Sequence, residues 1–444
     1  MGLRIPAAPL RHEHDAEIFR LAVPAFGALI AEPLFLLADS AIVGHLGTDQ
    51  LAGLGVAATI VSSAVSLCVF LAYGTTASVA RSLGAGDLAG ALRRGVDGLW
   101  LALLLGTLLA LAGFGSAEPI VGWFGANGDA AGYAVTYLRV SVAGLPAMLG
   151  IFAMTGVLRG LQDTKTPLYV AVAANISNAG LNYALVYGLN MGIAGSALGT
   201  VLSQWASMLV YVAVVMRGMR LQGVSLAFSM PGVVRSFAAS SPLVVRNLAL
   251  RAVVVGSAAV AARIGAADLA AHQVAFTIWT TLALGLDAVA IAGQALVGRY
   301  LGASDVDGAR GATRRMIELS ILFGAVLGVA IFATRHLLPL LFTNDPEVRS
   351  LLAAVLLIVA VMQPVAGIVF ALDGVLIGAG DLRYLAAAQA LTVLVFVPLA
   401  AAVLAFDLGL SGLWWAIGGW VIARFAVLAY RQRSGAWAVA GAER

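Results

Sequence analysis

The stretch Arg81-Ser-Leu-Gly-Ala-Gly-Asp87 recurs 218 positions later as Arg299-Tyr-Leu-Gly-Ala-Ser-Asp305. The same offset relates Gly156-Val-Leu-Arg-Gly160 to Gly374-Val-Leu-Ile-Gly378, and it also relates single residues across most of each half. Chance does not hold one register over so much sequence. The chain is therefore interpreted as an internal duplication.

The composition places this duplicated chain in a membrane. Of 444 residues, 61% are hydrophobic and 11% are charged, and the mean hydropathy is +0.97. A soluble globule of this length needs more polar surface. A membrane-crossing helix takes about 20 apolar residues, and twelve segments qualify, at approximately 17–45, 52–80, 93–115, 132–158, 166–189, 192–216, 236–262, 270–298, 311–333, 350–378, 384–406 and 411–430.

The predicted fold class is an all-α polytopic membrane protein with twelve transmembrane helices in two pseudo-symmetric six-helix lobes. The predicted domains are an N-terminal lobe 1–216, a cytoplasmic linker 217–235 and a C-terminal lobe 236–444. Most of the 26 Lys and Arg fall on one side of this arrangement, and positively charged loops stay inside. Both termini are thus expected in the cytoplasm, with the chain in the inner (plasma) membrane. Six spans per half make the repeats parallel, related by an axis along the membrane normal.

The charge bias and the sparse cysteine content exclude several function classes. The net charge of +4 follows from the loop bias, so no nucleic-acid partner is predicted. The single Cys68 rules out an intramolecular disulfide and provides no metal or redox motif. The repeated loops Gly84-Ala85-Gly86-Asp87 and Gly302-Ala303-Ser304-Asp305 are predicted to be turns in which Asp caps the next helix. Neither has the Gly-Lys-Ser/Thr of a phosphate loop.

Two carboxylates lie inside the first apolar span. A charge at membrane depth costs at least about 2.5–3.5 kcal/mol, so it needs a partner, a watery cavity or a function. Glu32 and Asp39 are seven residues apart, which places them on one helical face about 10 Å apart along the axis. Asp39 is predicted in the outer half of the membrane, where a desolvated carboxylate can load and release a proton. The alternatives are that Asp39 caps a kinked helix end before Gly44 and that Glu32 satisfies backbone groups freed by Pro33.

The fifth span carries amides along one face. Asn175, Asn178 and Asn182 are spaced three and four apart, so all three point the same way. They either hold helices together or hydrogen-bond a protonatable carboxylate. Because Asn178 and Asn182 are expected at the depth of Asp39, the second use is favoured. Thr200 and Gln204 of the sixth span are candidates to complete this cluster.

The second half places its polar groups differently. The seventh span holds Arg246, Asn247 and Arg251, and the eighth holds Asp287 and Gln294 on one face. Because an unpaired buried charge is strongly unfavourable, Asp287 is predicted to pair with Arg246 or Arg251. The pair is either a static contact or one that breaks and re-forms between inward and outward states. The residues predicted to take part in substrate binding or gating are these five together with Glu32, Asn175 and Gln204 of the first half. Asp373, near the end of the tenth span, is expected to be solvated.

Four stretches of the sequence form a recognisable set. They are Glu32-Pro-Leu-Phe-Leu-Leu-Ala-Asp39-Ser-Ala-Ile-Val-Gly44-His-Leu-Gly47, Leu158-Arg-Gly-Leu-Gln-Asp163-Thr-Lys-Thr-Pro167, Ala271-His-Gln-Val-Ala275 and Gly293-Gln-Ala-Leu-Val-Gly-Arg-Tyr-Leu-Gly302. Together they resemble the multidrug and toxic compound extrusion (MATE) family, in its DNA-damage-inducible protein F (DinF) branch. The resemblance covers nearly the whole chain. It implies a twelve-helix antiporter with two six-helix lobes that exports bulky, often cationic or amphipathic compounds in exchange for H⁺ or Na⁺.

The resemblance also assigns roles to single positions. Asp39 matches the first-helix aspartate that takes the coupling proton, and Asn178 and Thr200 match polar partners around it. Asn182 departs from the pattern, since some members have a second aspartate there. Without that carboxylate a Na⁺ cage is weaker, which favours H⁺ and leaves Na⁺ open. Asp287 matches an acidic position typical of this branch.

The function expected from the sequence is secondary active antiport, namely multidrug efflux by alternating access. Protonation of Asp39 would remove a buried charge, let the first helix repack or bend near Pro33 and lower the affinity for the exported compound. The expected partners are small amphipathic or cationic molecules and the lipid bilayer, with a monomeric protein and no cofactor or metal beyond the coupling ion.

Two other classes remain as alternatives. A lipid-linked precursor flippase of the same fold group would carry a more cationic cavity, for which Arg246 and Arg251 are the candidates. A membrane enzyme acting on lipids would need a nucleophile, base or metal cluster at an interface. No His-Asp or Asp-x-x-Asp arrangement suits that role, so the chain is predicted not to be an enzyme.

Overall fold

A computed structural model of the chain describes residues 13–442, and for Glu32 it describes the backbone alone. The described residues form helices and contain no strand. In chain order the helices are α1 Asp15–Gly44, α2 Thr48–Cys68, α3 Phe70–Gly84, α4 Leu88–Gly115, α5 Ala117–Trp123, α6 Gly128–Ser141, α7 Leu145–Gly160, α8 Lys165–Tyr183, α9 Gly192–Leu221, α10 Met230–Ser240, α11 Pro242–Ile264, α12 Ala266–Gly302, α13 Val306–Thr334, α14 Leu338–Phe342, α15 Pro346–Gly378, α16 Leu382–Ala405 and α17 Gly409–Ser434. A 3₁₀ turn, Val142–Gly144, joins α6 to α7, and a π turn, Ala184–Gly188, follows α8.

The predicted all-helical membrane fold is confirmed, with one difference in the number of spans. Within residues 13–442, 11 helical segments are long and apolar enough to cross a membrane. Three of them join consecutive helices: α2 with α3, α6 with α7, and α10 with α11. The exception is the predicted span 166–189: its helix α8 has 19 residues, long enough to cross a membrane, but it is not among the 11. The three asparagines that mark this helix also lower its hydropathy, so composition alone does not make it a span.

The helices fall into two compact units, and each unit takes residues from both halves of the sequence. One unit contains the described residues up to Phe26 together with Leu248–Ala442. The other contains Gly27–Asn247. The divisions lie inside α1 and inside α11. The start of α1 therefore packs with helices of the second repeat, and α10 packs with helices of the first.

The repeated turns have the predicted chemistry. Asp87 and Asp305 each cap the following helix by accepting the backbone N–H three residues on, at 2.7 and 2.8 Å. The residue before each cap has a left-handed backbone, with φ 79° at Gly86 and 61° at Ser304. Glycine adopts this conformation without strain, whereas serine adopts it only at an energetic cost. The two turns thus keep one geometry despite the Gly-to-Ser difference.

The repeated glycines bring two helix backbones into contact in each unit. A Cβ at Gly156 would lie 2.6 Å from the carbonyl oxygen of Ala72, so α7 packs directly on α3. The equivalent Gly374 of α15 meets the carbonyl oxygen of Ala290 on α12 in the same way. Small residues at such crossings let membrane helices approach closely. This contact is the physical reason for the glycines at both ends of the repeated Gly-Val-Leu-x-Gly motif.

Candidate functional site

Asp39 lies on α1 and is held by three hydrogen-bond donors. Its side chain is buried, with 4% of the residue surface exposed. Oδ1 accepts hydrogen bonds from Asn182 Nδ2 at 2.9 Å and Ser196 Oγ at 2.5 Å, and Oδ2 accepts one from the Tyr137 hydroxyl at 3.1 Å. All three donors are neutral groups, and within residues 13–442 Asp39 has no ion-pair partner. Burial in this site therefore opposes the charged carboxylate while the donors favour it.

A chain of polar side chains extends from Asp39 across α8 to α9. Asn182 Nδ2 also donates to Asn178 Oδ1 at 3.1 Å, and Asn178 Nδ2 donates to Thr200 Oγ1 at 3.1 Å. Asn178, Asn182 and Thr200 are all buried. The structure thus brings Asp39 together with the three polar partners that the sequence placed around it.

Side chains that share one face of α8 and one face of α9 form the walls of this site. Asn178 and Asn182 are one turn apart on α8, and Ser196 and Thr200 are one turn apart on α9, so each pair shares a helical face. At Gly199 a Cβ would overlap Asn182 Oδ1. The absence of a side chain there lets α8 and α9 approach closely enough to bring Asn182 and Ser196 to Asp39 together.

Sequence reasoning missed two of the three donors, Tyr137 and Ser196. Ser196 is fully buried and precedes Thr200 by one turn, so its i,i+4 relation to Thr200 was a signal that could have revealed it. Tyr137 lies on α6 and is 6% exposed. Nothing in the sequence singles out this tyrosine, because tyrosines occur at many positions of membrane helices.

The other candidates of the first half have different neighbours. Asn175 Nδ2 donates to the carbonyl oxygen of Ala31 on α1 at 2.6 Å, two residues before Pro33. Gln204, a candidate for the Asp39 cluster, instead donates from Nε2 to Met148 Sδ at 3.7 Å, because it lies two turns beyond Ser196 on α9. The side chain of Glu32 lies outside the described residues.

The candidates of the second half lie on α11 and α12. Arg246 donates to Asn247 Oδ1 at 2.8 Å, and its guanidinium lies 5.8 Å from the centre of the Tyr73 ring. The pairing of Asp287 with Arg246 or Arg251 stays a prediction. Gln294 is buried on α12, and its Oε1 has no hydrogen-bond partner among the described residues.

The expectation that Asp373 is solvated is wrong. Asp373 is 4% exposed, and its carboxylate lies 3.8 Å from Arg424 NH2. Gln389 Nε2 lies 3.5 Å from its other oxygen. The helix α17 covers this end of α15 and brings Arg424 to it, a tertiary contact that depth along one span does not reveal.

Known proteins share both the repeat and the fold of this chain. The MatE family model matches residues 24–184 and again 242–402, and these two matches are separated by the same 218 positions as the repeat. The chain belongs to the MatE family. This MATE protein is a membrane transporter of the multidrug efflux family and is not an enzyme.

Individual relatives agree with this assignment. Protein DETOXIFICATION 44, chloroplastic, of Arabidopsis thaliana is 30% identical over 436 residues, covering 95% of this chain and 81% of the plant protein. The DNA damage-inducible protein F of Escherichia coli (strain K12) is 32% identical over 375 residues, covering 82% and 81%, which supports the DinF branch. A MATE crystal structure in the bent conformation has a TM-score of 0.86 at 22% identity and covers 96% of each chain, so it shares the fold.

Proposed function

We propose that this MATE protein exports bulky amphipathic or cationic compounds in exchange for H⁺, and that Asp39 is the residue that binds the coupling proton. The observation that carries the proposal is a carboxylate, 4% exposed, whose hydrogen-bond partners Tyr137, Asn182 and Ser196 are all neutral. A charge in such a site is stable only while its donors remain in place. Binding a proton removes that charge, so the two protonation states favour different local arrangements.

The hydroxyl of Tyr137 is suited to rearrange when the proton arrives. It donates to Asp39 Oδ2, and the hydroxyls of Thr200 and Ser141 neighbour it. Ser141 Oγ has no hydrogen-bond partner among the described residues. If Tyr137 turns its hydrogen toward Ser141, its oxygen can accept a hydrogen bond from protonated Asp39. This exchange keeps Tyr137 and Asp39 hydrogen-bonded to each other in both states.

The change at Asp39 can reach α1 because the helix is weakened nearby. Pro33 lacks the backbone N–H that would bond to the carbonyl four residues earlier. Asn175 supports the same region through its hydrogen bond to the Ala31 carbonyl. A bend of α1 at this point would move Asp39 relative to α8 and α9 and would change the space offered to the exported compound.

Na⁺ coupling is the alternative that one observation favours. Asn182 Oδ1 is buried without a hydrogen-bond partner among the described residues, so it is an oxygen available to a cation. Na⁺ prefers several hard oxygen ligands. The groups now directed at Asp39 are hydrogen-bond donors, and each would have to rotate before a cation could replace its hydrogen. Proton binding needs fewer rearrangements.

The test is export of a fluorescent lipophilic cation from liposomes that contain the purified protein. An imposed pH gradient should drive export without Na⁺, and substrate-stimulated proton flux should disappear in Asp39→Asn. The matched control is Asp49→Asn, the same chemical change at an exposed position on α2. Unchanged proton-coupled export in Asp39→Asn would refute the assignment. Export that requires Na⁺ would favour the sodium alternative, and transport of a lipid-linked precursor without these compounds would favour a flippase.

A further inference from the structure

Two equivalent helix faces hold the chain segments that lead into the two halves. On α4 the face is Arg93, Asp97 and Trp100, and 218 positions later on α13 it is Gly311, Arg315 and Glu318. The spacing i, i+4, i+7 places each set on one side of its helix. We call the first set the α4 latch and the second the α13 latch.

The α4 latch holds the segment between the two halves mainly through hydrogen bonds to the backbone of that segment. Arg93 NH1 donates to the carbonyl oxygens of Ser225 and Ala227 at 3.3 and 3.1 Å, and Trp100 Nε1 donates to that of Leu226 at 2.9 Å. The next residues begin α10. There, a Cβ at position 232 would overlap the carboxylate of Asp97, so glycine allows the acidic group to approach the first turn of α10, where a helix favours negative charge.

The α13 latch holds the start of α1 through charges. The Arg315 guanidinium donates to both carboxylate oxygens of Asp15, at 2.6 and 3.0 Å, and to Glu318 at 3.0 Å. The side chains of Arg315 and Asp15 are 9% and 16% exposed. At Gly311 a Cβ would lie 2.9 Å from the His14 ring. This bidentate, largely buried geometry gives an ion pair its greatest strength and direction.

The end of α12 adds a second ionic contact to the start of α1. Arg299 NH2 lies 2.9 Å from both carboxylate oxygens of Glu17, and the Tyr300 hydroxyl donates to Glu17 Oε2 at 2.8 Å. Arg299 is the second-repeat equivalent of Arg81, 218 positions later. It therefore belongs to the motif that revealed the duplication. Two neighbouring acidic residues of α1 are thus bound by two arginines on two helices of the second repeat.

We propose that the Asp15–Arg315 and Glu17–Arg299 pairs fix the start of α1 to α12 and α13, so that a change at Asp39 bends α1 and does not displace it as a rigid rod. The two ends of α1 belong to different compact units, since the residues up to Phe26 pack with Leu248–Ala442 and Asp39 lies in Gly27–Asn247. Asp15 and Asp39 are separated by 24 residues, about 36 Å along a helix. A single helix fixed at one end and rearranged at the other must deform between them, where Pro33 weakens it. Asp15, Glu17, Arg299 and Arg315 are positioning residues in this scheme, and its consequence for transport rests on the proposed proton site.

The structural test measures the distance between spin labels at Ala16→Cys and Asp307→Cys, two exposed positions beside the α13 latch, in a Cys68→Ala background. In the protein with the intact α13 latch, the two spin labels should give one narrow distance distribution. Asp39→Asn, which imitates the neutral carboxyl, should leave that distribution unchanged, and Arg315→Gln should broaden it. Arg139→Gln is the matched control, because it removes an arginine from an exposed ion pair with Glu118. A narrow distribution in Arg315→Gln, or a shift caused by Asp39→Asn, would overturn the inference whether or not Asp39 binds the proton.

The transport test compares substrate exported per proton in liposomes at equal amounts of monodisperse protein. Arg315→Gln should lower this ratio at least about fivefold, the lower end of typical coupling between sites. Asp15→Asn combined with Arg315→Gln should recover part of it, because a neutral amide then replaces the largely buried carboxylate from which the Arg315 charge has been removed. A normal ratio in Arg315→Gln would refute the functional half of the inference. Failure of the proton site appears separately, as unchanged coupling in Asp39→Asn.

Discussion

Ser196→Ala is the most direct test of how the Asp39 site sets its proton affinity. Ser196 is fully buried and donates to Asp39 Oδ1 at 2.5 Å, so water does not compete for this bond. A hydrogen bond to a charged group contributes about 1.5–3 kcal/mol. Alanine removes that stabilisation from the carboxylate while leaving the neutral carboxyl almost unaffected. Since about 1.4 kcal/mol corresponds to one pH unit, half-maximal proton-driven export should move upward by about 1–2 pH units.

The assay is export of a fluorescent lipophilic cation from liposomes, measured over a series of pH values with a constant pH difference across the membrane. Ser203→Ala is the matched control: Ser203 is buried about two turns further along α9, and its hydroxyl donates to the backbone carbonyl of Ala174 at 2.9 Å. The control should keep the wild-type pH profile. A Ser196→Ala profile that overlays the wild type, or that moves to lower pH, would show that this bond does not favour the carboxylate.

Three further changes test the site and the fold. Asn182→Asp places a second carboxyl against Asp39. Because two acidic groups attract a cation, we expect NaCl, relative to choline chloride, to stimulate export at fixed pH. An unaltered response would argue against a cation cage there. Asp87→Ala removes the cap of α4 and should cost about 0.5–2 kcal/mol, seen as a lower thermal unfolding temperature in detergent. Gly156→Val should cost about 1–3 kcal/mol by overpacking α7 on α3, whereas Gly55→Val, which meets nothing within 4 Å, should unfold like the wild type; equal loss in both would contradict the packing argument.

Much of the fold could be predicted from the sequence because its signals are local or periodic. The 218-residue register predicted the duplication, and the family model matches both copies at that offset. The turns ending in Asp87 and Asp305 were predicted from residue type, since a capping carboxylate acts within its own helix end. The same signals did not determine the number of spans. Helix α8 forms as predicted but carries three amides, so its lower hydropathy separates it from the 11 candidate spans.

The candidate site could be predicted only in part. Asp39, Asn178, Asn182 and Thr200 were recognisable because each is polar in an apolar segment, where a polar group needs a reason. Gln204 has the same property, yet it contacts Met148. Tyr137 is amphipathic and common in membrane helices, so nothing in the sequence distinguishes it from the other tyrosines. The polarity of a residue indicates that it needs a partner, but it does not name the partner.

The sequence by itself determined that this chain is a duplicated helical membrane protein of the MatE family, with polar groups at fixed positions along its helices. These features depend on composition, spacing and register, which are properties of one helix or of one repeat at a time. Tertiary structure decided that Tyr137 and Ser196 complete the Asp39 site, that Arg424 covers Asp373 and that the start of α1 is bound by Arg299 and Arg315. Each of these contacts joins helices far apart in the chain, and only packing determines which of their faces meet.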